Sequence, residues 1–450
     1  MIADLDEARI TAQSKVVSTV ETNILFGLER ALKKLNLSKE SLSKKFSHNL
    51  ACSSAAGGLR TIAVGLVPEL TAKAARKAAL GAGARVLETY AHKLSQSEME
   101  RIESLVPDII LLAGGTDGGD KKTIVYNARV LAKSHLQIPI VVAGNKEAAK
   151  QVEGILNSGG KDVAVTENVM PKLEELNIEP AREVIRGIFM ERIVVAKGLG
   201  DTKGFVDILM PTPAATLKAT ELLANGFEDE AGLGEILVVE VGGATTNVNS
   251  IAEGKPTQPK TIWKGLKGPY AKRTVEGDLG VRVSAESLLA ATGIGRIIEK
   301  LDTTVKDTEV VEIERIVKEL PFNIGLIPRS KRQYAIDTAL ARVAVETAVE
   351  RHVGSIEEIT APSGTFFLQM GKDLTNLNSV IGSGGPIVHS RNPRRILTEA
   401  LFDKHKPFLL KPKNPQLLID KDYVLWAMGL LSTIAPATAL KIMKQSLQPA

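Results

Sequence analysis

"VVEVGGATTNVNS", residues 238–250, is an apolar run that breaks into Gly-Gly-Ala-Thr-Thr and then resumes. The pattern reads as a strand, a tight glycine turn and a returning strand, with a second turn at Glu253-Gly254, which is hairpin chemistry. Glycine at a strand exit lets backbone N–H groups approach phosphate oxygens with no side chain in the way, and the hydroxyls of Thr245 and Thr246 add donors. Where such turns carry carboxylates that act on a metal or a water, this one has Glu240 and Asn247.

Upstream the pattern differs. From "TIAVGLV" at residue 61 to "DVAVTEN" ending at residue 168, apolar runs of four to seven residues alternate with amphipathic helical stretches. That alternation predicts βαβ units and a parallel sheet buried on both faces, a Rossmann-like or flavodoxin-like unit. Ligands in such sheets sit at the carboxyl ends of the strands, which puts "AGGTDGGD", Ala113 to Asp120, and "AGN", Ala143 to Asn145, on the functional edge. Gly114, Gly115, Thr116 and Asp117 read as a ligand or partner loop, or equally as good helix-start chemistry. From about 172 to 232 the chain reads as mostly helical, and a domain break falls near 200 to 233.

Composition excludes several classes. The 450 residues allow two or three domains, and 57 Lys plus Arg against 52 Asp plus Glu leave a net charge of +5 with no dense basic run. Aromatic residues make up 4%, which argues against base-stacking platforms, so no nucleic-acid partner is expected. Cys52, the lone cysteine, rules out internal disulfides and thiolate metal clusters, fits a cytoplasmic location and reads as a buried spectator. "YVLWAMGLLSTIAPATAL", Tyr423 to Leu440, is interrupted by Pro436 and three hydroxyl residues, and reads as a buried helix pair, with no membrane span.

Three glycine turns follow apolar runs: Gly114 to Gly119, Gly242 to Thr246, and Gly382-Ser383-Gly384-Gly385. One such turn carries little weight, since most glycine strand exits are only tight turns; three in one chain point to anion binding. His389, after the third turn, reads as a surface or packing residue within reach of a ligand; "SRNPRR", from Ser390, reads equally as charge near a phosphate or as solvent-facing, and "LIPRSKRQ", from Leu326, as a solvated loop.

The second and third turns, in this order, resemble the phosphate-2 and adenosine motifs of the actin-like ATPase superfamily. "ACSSAAGGLRTIAVGLVPELTAKAA", "PDIILLAGGTDGGD", "VVEVGGATTNVNS", "RTVEGDLGVRVSAESL" and "SVIGSGGPIVHS", spanning residues 51 to 390, together resemble the glutamate mutase accessory family called GlmL or MutL, unrelated to mismatch repair. The resemblance implies an α/β chain with an actin-like ATPase (ribonuclease H-like) fold lacking its first phosphate-loop strand, and an inserted Rossmann/flavodoxin-like domain. Residues 1–50 would be the remnant of the first lobe, 51–200 the insert and 201–450 the second lobe.

On that resemblance Gly242, Gly243, Ala244 and Thr245 face the β- and γ-phosphates, with Thr246 supporting the turn. Gly382, Ser383, Gly384 and Gly385 lie against the adenosine and α-phosphate. "EGDLG", Glu276 to Gly280, opens the helix flanking the cleft, with Asp278 either its cap or a ligand. The expected cofactor is ATP or ADP with Mg²⁺. Glu240 is the carboxylate for metal and catalysis, and Asn247 its partner in catalysis.

Two features depart from the superfamily. Its first phosphate motif, D-x-G-x-T on an N-terminal strand, is missing, and "MIADLDEARITAQS" resembles the strand that returns from it. Either the start lies upstream of Met1 or the motif is lost. Phosphate-2 carries Asp at both carboxylate positions, whereas Glu240 adds a methylene and Asn247 removes a charge; a ligand displacement of about 1 Å costs ~10²-fold in rate, and an amide is no base.

The expected function is an accessory, reactivating or chaperone-like protein for an adenosylcobalamin-dependent glutamate (methylaspartate) mutase. Its subunits are the partners, and nucleotide state drives the exchange of damaged cobalamin. The chain is at most a weak ATPase and no mutase, and it binds no cobalamin directly, having no D-x-H-x-x-G loop. The alternatives are a degenerate ATPase-fold binding module without turnover and a small-molecule kinase of the same fold.

Overall fold

In the computed structural model, residues 1–17, 19, 24–53, 59–82, 84–173, 175–195, 207–265, 267–301, 307–362 and 364–450 are described. The chain divides into two compact units, Gly57–Ile193 with Lys264–Lys267, and Met1–Ala56 with Val194–Trp263 and Gly268–Ala450. The stretch 54–58 of the first family motif, and residue 200, where a break is expected, lie outside the described residues.

The first of these units is built by the alternation seen in the sequence. Its strands are β1 Arg60–Gly65, β2 Arg85–Ala91, β3 Ile109–Leu112, β4 Ile140–Val142 and β5 Val163–Val165. They form one sheet in the order β2-β1-β3-β4-β5, every neighbouring pair parallel. This is the 2-1-3-4-5 order of doubly wound flavodoxin-like sheets. Ile62, Val64, Ile110 and Leu112 pack with Met99, Ile102, Val125 and Val152 of the connecting helices, so the central strands are continuous apolar runs because neither face meets water.

The second unit holds a six-stranded sheet of β6 Ile236–Val241, β7 Thr246–Ile251, β8 Ala271–Glu276, β9 Ser379–Ser383, β10 Gln416–Asp420 and β11 Leu447–Pro449. Its order is β8-β7-β6-β9-β10-β11. β7 is antiparallel to both β6 and β8, while β6, β9 and β10 run parallel. Residue parity splits β6 between two cores. Leu237, Val239 and Val241 pack under the helices Ala285–Glu299 and Lys331–His352. Ile236 and Val238 pack under Thr212–Asn225, Leu425–Leu431 and Pro436–Ser446. Glu240 shares the parity of Ile236 and Val238, and so projects toward Thr212–Asn225.

Among its described residues the segment 172–232 is mostly helical, in Glu179–Val195 and Thr212–Asn225, with a short strand, Asp207–Pro211, parallel to Leu50–Ser53. Two expectations are corrected. "EGDLG" does not open a helix; the helix begins at Ala285. Leu279 and Val281 are instead buried in the core, and Arg351 bonds both Glu276 and Asp278, which holds the segment as a turn. The N-terminal stretch is not one strand but a hairpin, Ile2–Asp4 against Arg9–Ala12, because Asp4 accepts from the backbone N–H groups of Asp6 and Glu7 and turns the chain. Tyr423 to Leu440 does fold as a helix pair, Leu425–Leu431 followed by Pro436–Ser446.

Candidate functional site

In the parallel register of β6 and β9, Val239 stands opposite Gly382 and Glu240 opposite Ser383. The second and third glycine turns therefore leave the sheet side by side at the carboxyl ends of neighbouring strands. Gly384 has φ +88°, and a Cβ there would lie 2.1 Å from the Val241 carbonyl oxygen, so only glycine permits this approach. The Gly242 N–H donates to Thr245 O at 2.8 Å and closes the second turn. "EGDLGVRVS" seals it from above: Val281 N–H donates to Gly242 O, Arg282 N–H to Gly243 O at 2.9 Å, and the Ser284 hydroxyl to Ala244 O at 2.7 Å. Gly280 lies flat on the turn, where a Cβ would be 2.3 Å from the Ala244 carbonyl carbon.

Gly243 and Gly385 both line a cavity of about 840 Å³. Its other walls are Val281 to Val283, Lys300, the loop Ile324–Pro328, the start of the helix Lys331–His352, Pro386, and His389 to Asn392 with Arg395. The helix begins under a capping box, Ser330 with Gln333. The Arg391 guanidinium lies 4.0 Å over the Tyr334 ring. The Arg282 guanidinium pairs with Asp337 at 2.5 Å. "SRNPRR" and "LIPRSKRQ", far apart in the chain and plain in the sequence, thus converge on one cavity that also takes in His389. Sequence reasoning passed over Arg282, Tyr334 and Asp337, which no glycine or charge run marks.

The remaining predicted residues serve elsewhere. The Thr246 hydroxyl donates to Leu279 O and the Ser383 hydroxyl to Asp420, so both are bound within the core. Glu240 is buried on the face away from the long helix, and is not among the residues lining the cavity. It accepts from Tyr423 OH at 3.1 Å, Asn247 Nδ2 at 3.2 Å and Thr216 Oγ1 at 3.5 Å. Burial raises its pKa against the pull of those hydrogen bonds, and Asp420 adds to the rise. Asn247 Oδ1 is buried without a hydrogen-bond partner. Cys52 accepts from the Thr212 hydroxyl, and burial pushes its thiol up to about 11, which makes it an inert thiol.

In the other unit, Asp117 accepts from Lys146 N–H and Asn168 Nδ2, both at 3.0 Å. Gly114 O accepts from Asn145 N–H and Gly115 O from Asn168, while Thr116 O accepts from Gly119 N–H. This loop is tied into its own fold, with Asp117 bonded to the first residue of the helix Lys146–Ser158. No group of three or more His, Cys, Asp or Glu is arranged for a metal among the described residues. No helix among them is long and apolar enough to cross a membrane.

Fold and site together define an α/β protein that presents paired glycine turns beside a basic cavity. The family model described as MutL protein matches residues 1–447. Protein MutL of Clostridium tetanomorphum is 49% identical over 446 residues, 99% of this chain and 95% of that relative. The chain belongs to the MutL family of the glutamate mutase accessory type.

Proposed function

We propose that this protein binds an adenine nucleotide at its paired glycine turns and serves as an accessory, reactivating factor of an adenosylcobalamin-dependent glutamate mutase. The observation that carries the reading is the meeting of Gly243 and Gly385 at one cavity lined by Arg282, Lys331, Arg391 and Arg395. The sheet supports it. Counted along the chain from β6, its first five strands lie in the order 3-2-1-4-5 with the second antiparallel, as in the ribonuclease H-like core of actin-like ATPases.

The residues fit a nucleotide. Backbone at Gly243 and Gly385 faces the cavity and is open to phosphate oxygens, Arg391 on Tyr334 offers a planar surface for a base, and the lining cations balance phosphate charge. They do not fit Mg²⁺. Glu240 and Asn247 bond each other on the opposite face, and Asp337, the one carboxylate among the described residues lining the cavity, is bonded to Arg282. The same placement favours the second reading, nucleotide binding without turnover: among the described residues, no carboxylate at the cavity is free to orient a water. Cobalamin chemistry stays with the mutase, and nucleotide state sets how the accessory protein grips the mutase so that damaged cobalamin is exchanged.

Calorimetric titration with ADP and ATP tests the site, and recovery of an inactivated glutamate mutase with and without ATP tests the role. Heat of binding together with ATP-dependent recovery is expected. No heat from either nucleotide would sink the nucleotide reading, and recovery that ignores ATP would leave a binding module.

A further inference from the structure

Arg282 is fixed at its backbone and engaged at its tip. Its N–H donates to Gly243 O at 2.9 Å, and a Cβ on Gly243 would stand 3.3 Å from the Arg282 Cβ, so the side chain starts beside the second glycine turn. It then crosses the cavity wall to the long helix. One terminal nitrogen meets Asp337 Oδ2 at 2.5 Å and Leu326 O at 3.3 Å, and the other donates to Val281 O at 2.8 Å. Both charged side chains are largely enclosed, at 12% and 20% exposure. The pair is therefore a latch between the turn and the helix Lys331–His352, placed where a phosphate at the turn would compete for it.

Resting on the nucleotide reading above, we infer that Arg282 exchanges partners, leaving Asp337 for the phosphates of a nucleotide at the second glycine turn, so that occupancy unlatches the long helix. A guanidinium prefers a multiply charged phosphate, which it grips with two parallel bonds, over one carboxylate. Its backbone need not move, because it is already clamped to the turn. Burial raises the Asp337 pKa and Arg282 opposes the rise, so Asp337 has a partner that it loses at a cost. That cost couples the site to the helix.

Calorimetry with adenosine, AMP and ADP on the full chain tests this, using wild type, Arg282→Gln, Arg282→Lys and Asp337→Asn. The exchange predicts that Arg282→Gln weakens ADP about tenfold and leaves adenosine unchanged, while Asp337→Asn, which removes the competitor, tightens ADP several-fold. Where Arg282→Gln does not fold, Arg282→Lys carries the test, since it keeps the charge and loses the fork: weaker ADP with unchanged adenosine supports the exchange, and unchanged ADP overturns it. If Asp337→Asn weakens all three ligands alongside Arg282→Gln, the pair is merely structural and the exchange is wrong. Wild-type protein that binds none of the three overturns the nucleotide reading itself; wild type that binds ADP as its Arg282 variants do overturns the exchange alone.

Discussion

Gly384 and Val241 are in backbone contact: a Cβ at 384 would lie 2.1 Å from the Val241 carbonyl oxygen, and φ at 384 is +88°. The contact joins the ends of β6 and β9, and with them the two glycine turns. Gly384→Ala must both strain its own φ and push the strand ends apart. A loss of about 2–3 kcal/mol is expected in urea unfolding, together with a greater loss of ADP affinity than a distant substitution of equal stability cost produces. Retention of both would separate the turns from the proposed site.

Glu240 predicts a pH signature. Its folded pKa is raised above the ordinary 4.5 by burial. A raised carboxyl holds its proton longer in the folded state, so its contribution to stability is full below 4.5 and falls as pH climbs toward the folded value. Glu240→Gln removes that titration and keeps a hydrogen-bonding side chain for Tyr423 and Asn247. Urea midpoints followed from acid to neutral pH should show the variant gaining on wild type as pH rises. A constant difference would mean that Glu240 titrates normally.

Asn247→Asp sets a second acid beside Glu240, and should harm the protein. Asn247 Nδ2 now donates to Glu240 Oε2 at 3.2 Å, and the substitution would set two buried carboxyl groups face to face. One must stay protonated, at a cost on the order of 3 kcal/mol at neutral pH that shrinks in acid. Because both side chains face away from the cavity, ADP affinity of the folded fraction should hold. A gain in ATPase activity would place the chemistry on the Glu240 face.

Alternation of apolar runs with helices made the parallel sheet legible from "TIAVGLV" onward, because buried parallel strands must be apolar throughout. The turn in "VVEVGGATTNVNS" was equally plain, as paired glycines weaken a strand and admit the backbone conformations that a tight turn needs. What stayed hidden depended on parity and packing. Glu240 reads as a site carboxylate until β6 is seen to split between two cores, whereupon its side chain falls with Ile236 and Val238. Arg391 and Tyr334 lie far apart in sequence, and no local pattern could announce that one stacks on the other.

Lys372 gives the last test. It is fully buried, and its ammonium donates to Tyr270 O at 2.8 Å and reaches Pro269 O and Ser250 Oγ at 3.3 Å. Ser250 also bonds His352 Nε2 at 2.8 Å, and burial holds that imidazole neutral. Burial brings the lysine from 10.5 down to about 7. Between those values the unfolded chain binds the proton that the folded one has released, so stability rises with pH by up to about 1.4 kcal/mol per unit. Below about 7 both states carry the charge and the slope vanishes. Lys372→Met abolishes the titration and strips the hydrogen bonds. Relative to this variant, wild type should gain stability on going from neutral to alkaline pH, read from urea midpoints at matched salt. Parallel pH curves for the two proteins would mean that Lys372 keeps an ordinary ammonium in the fold.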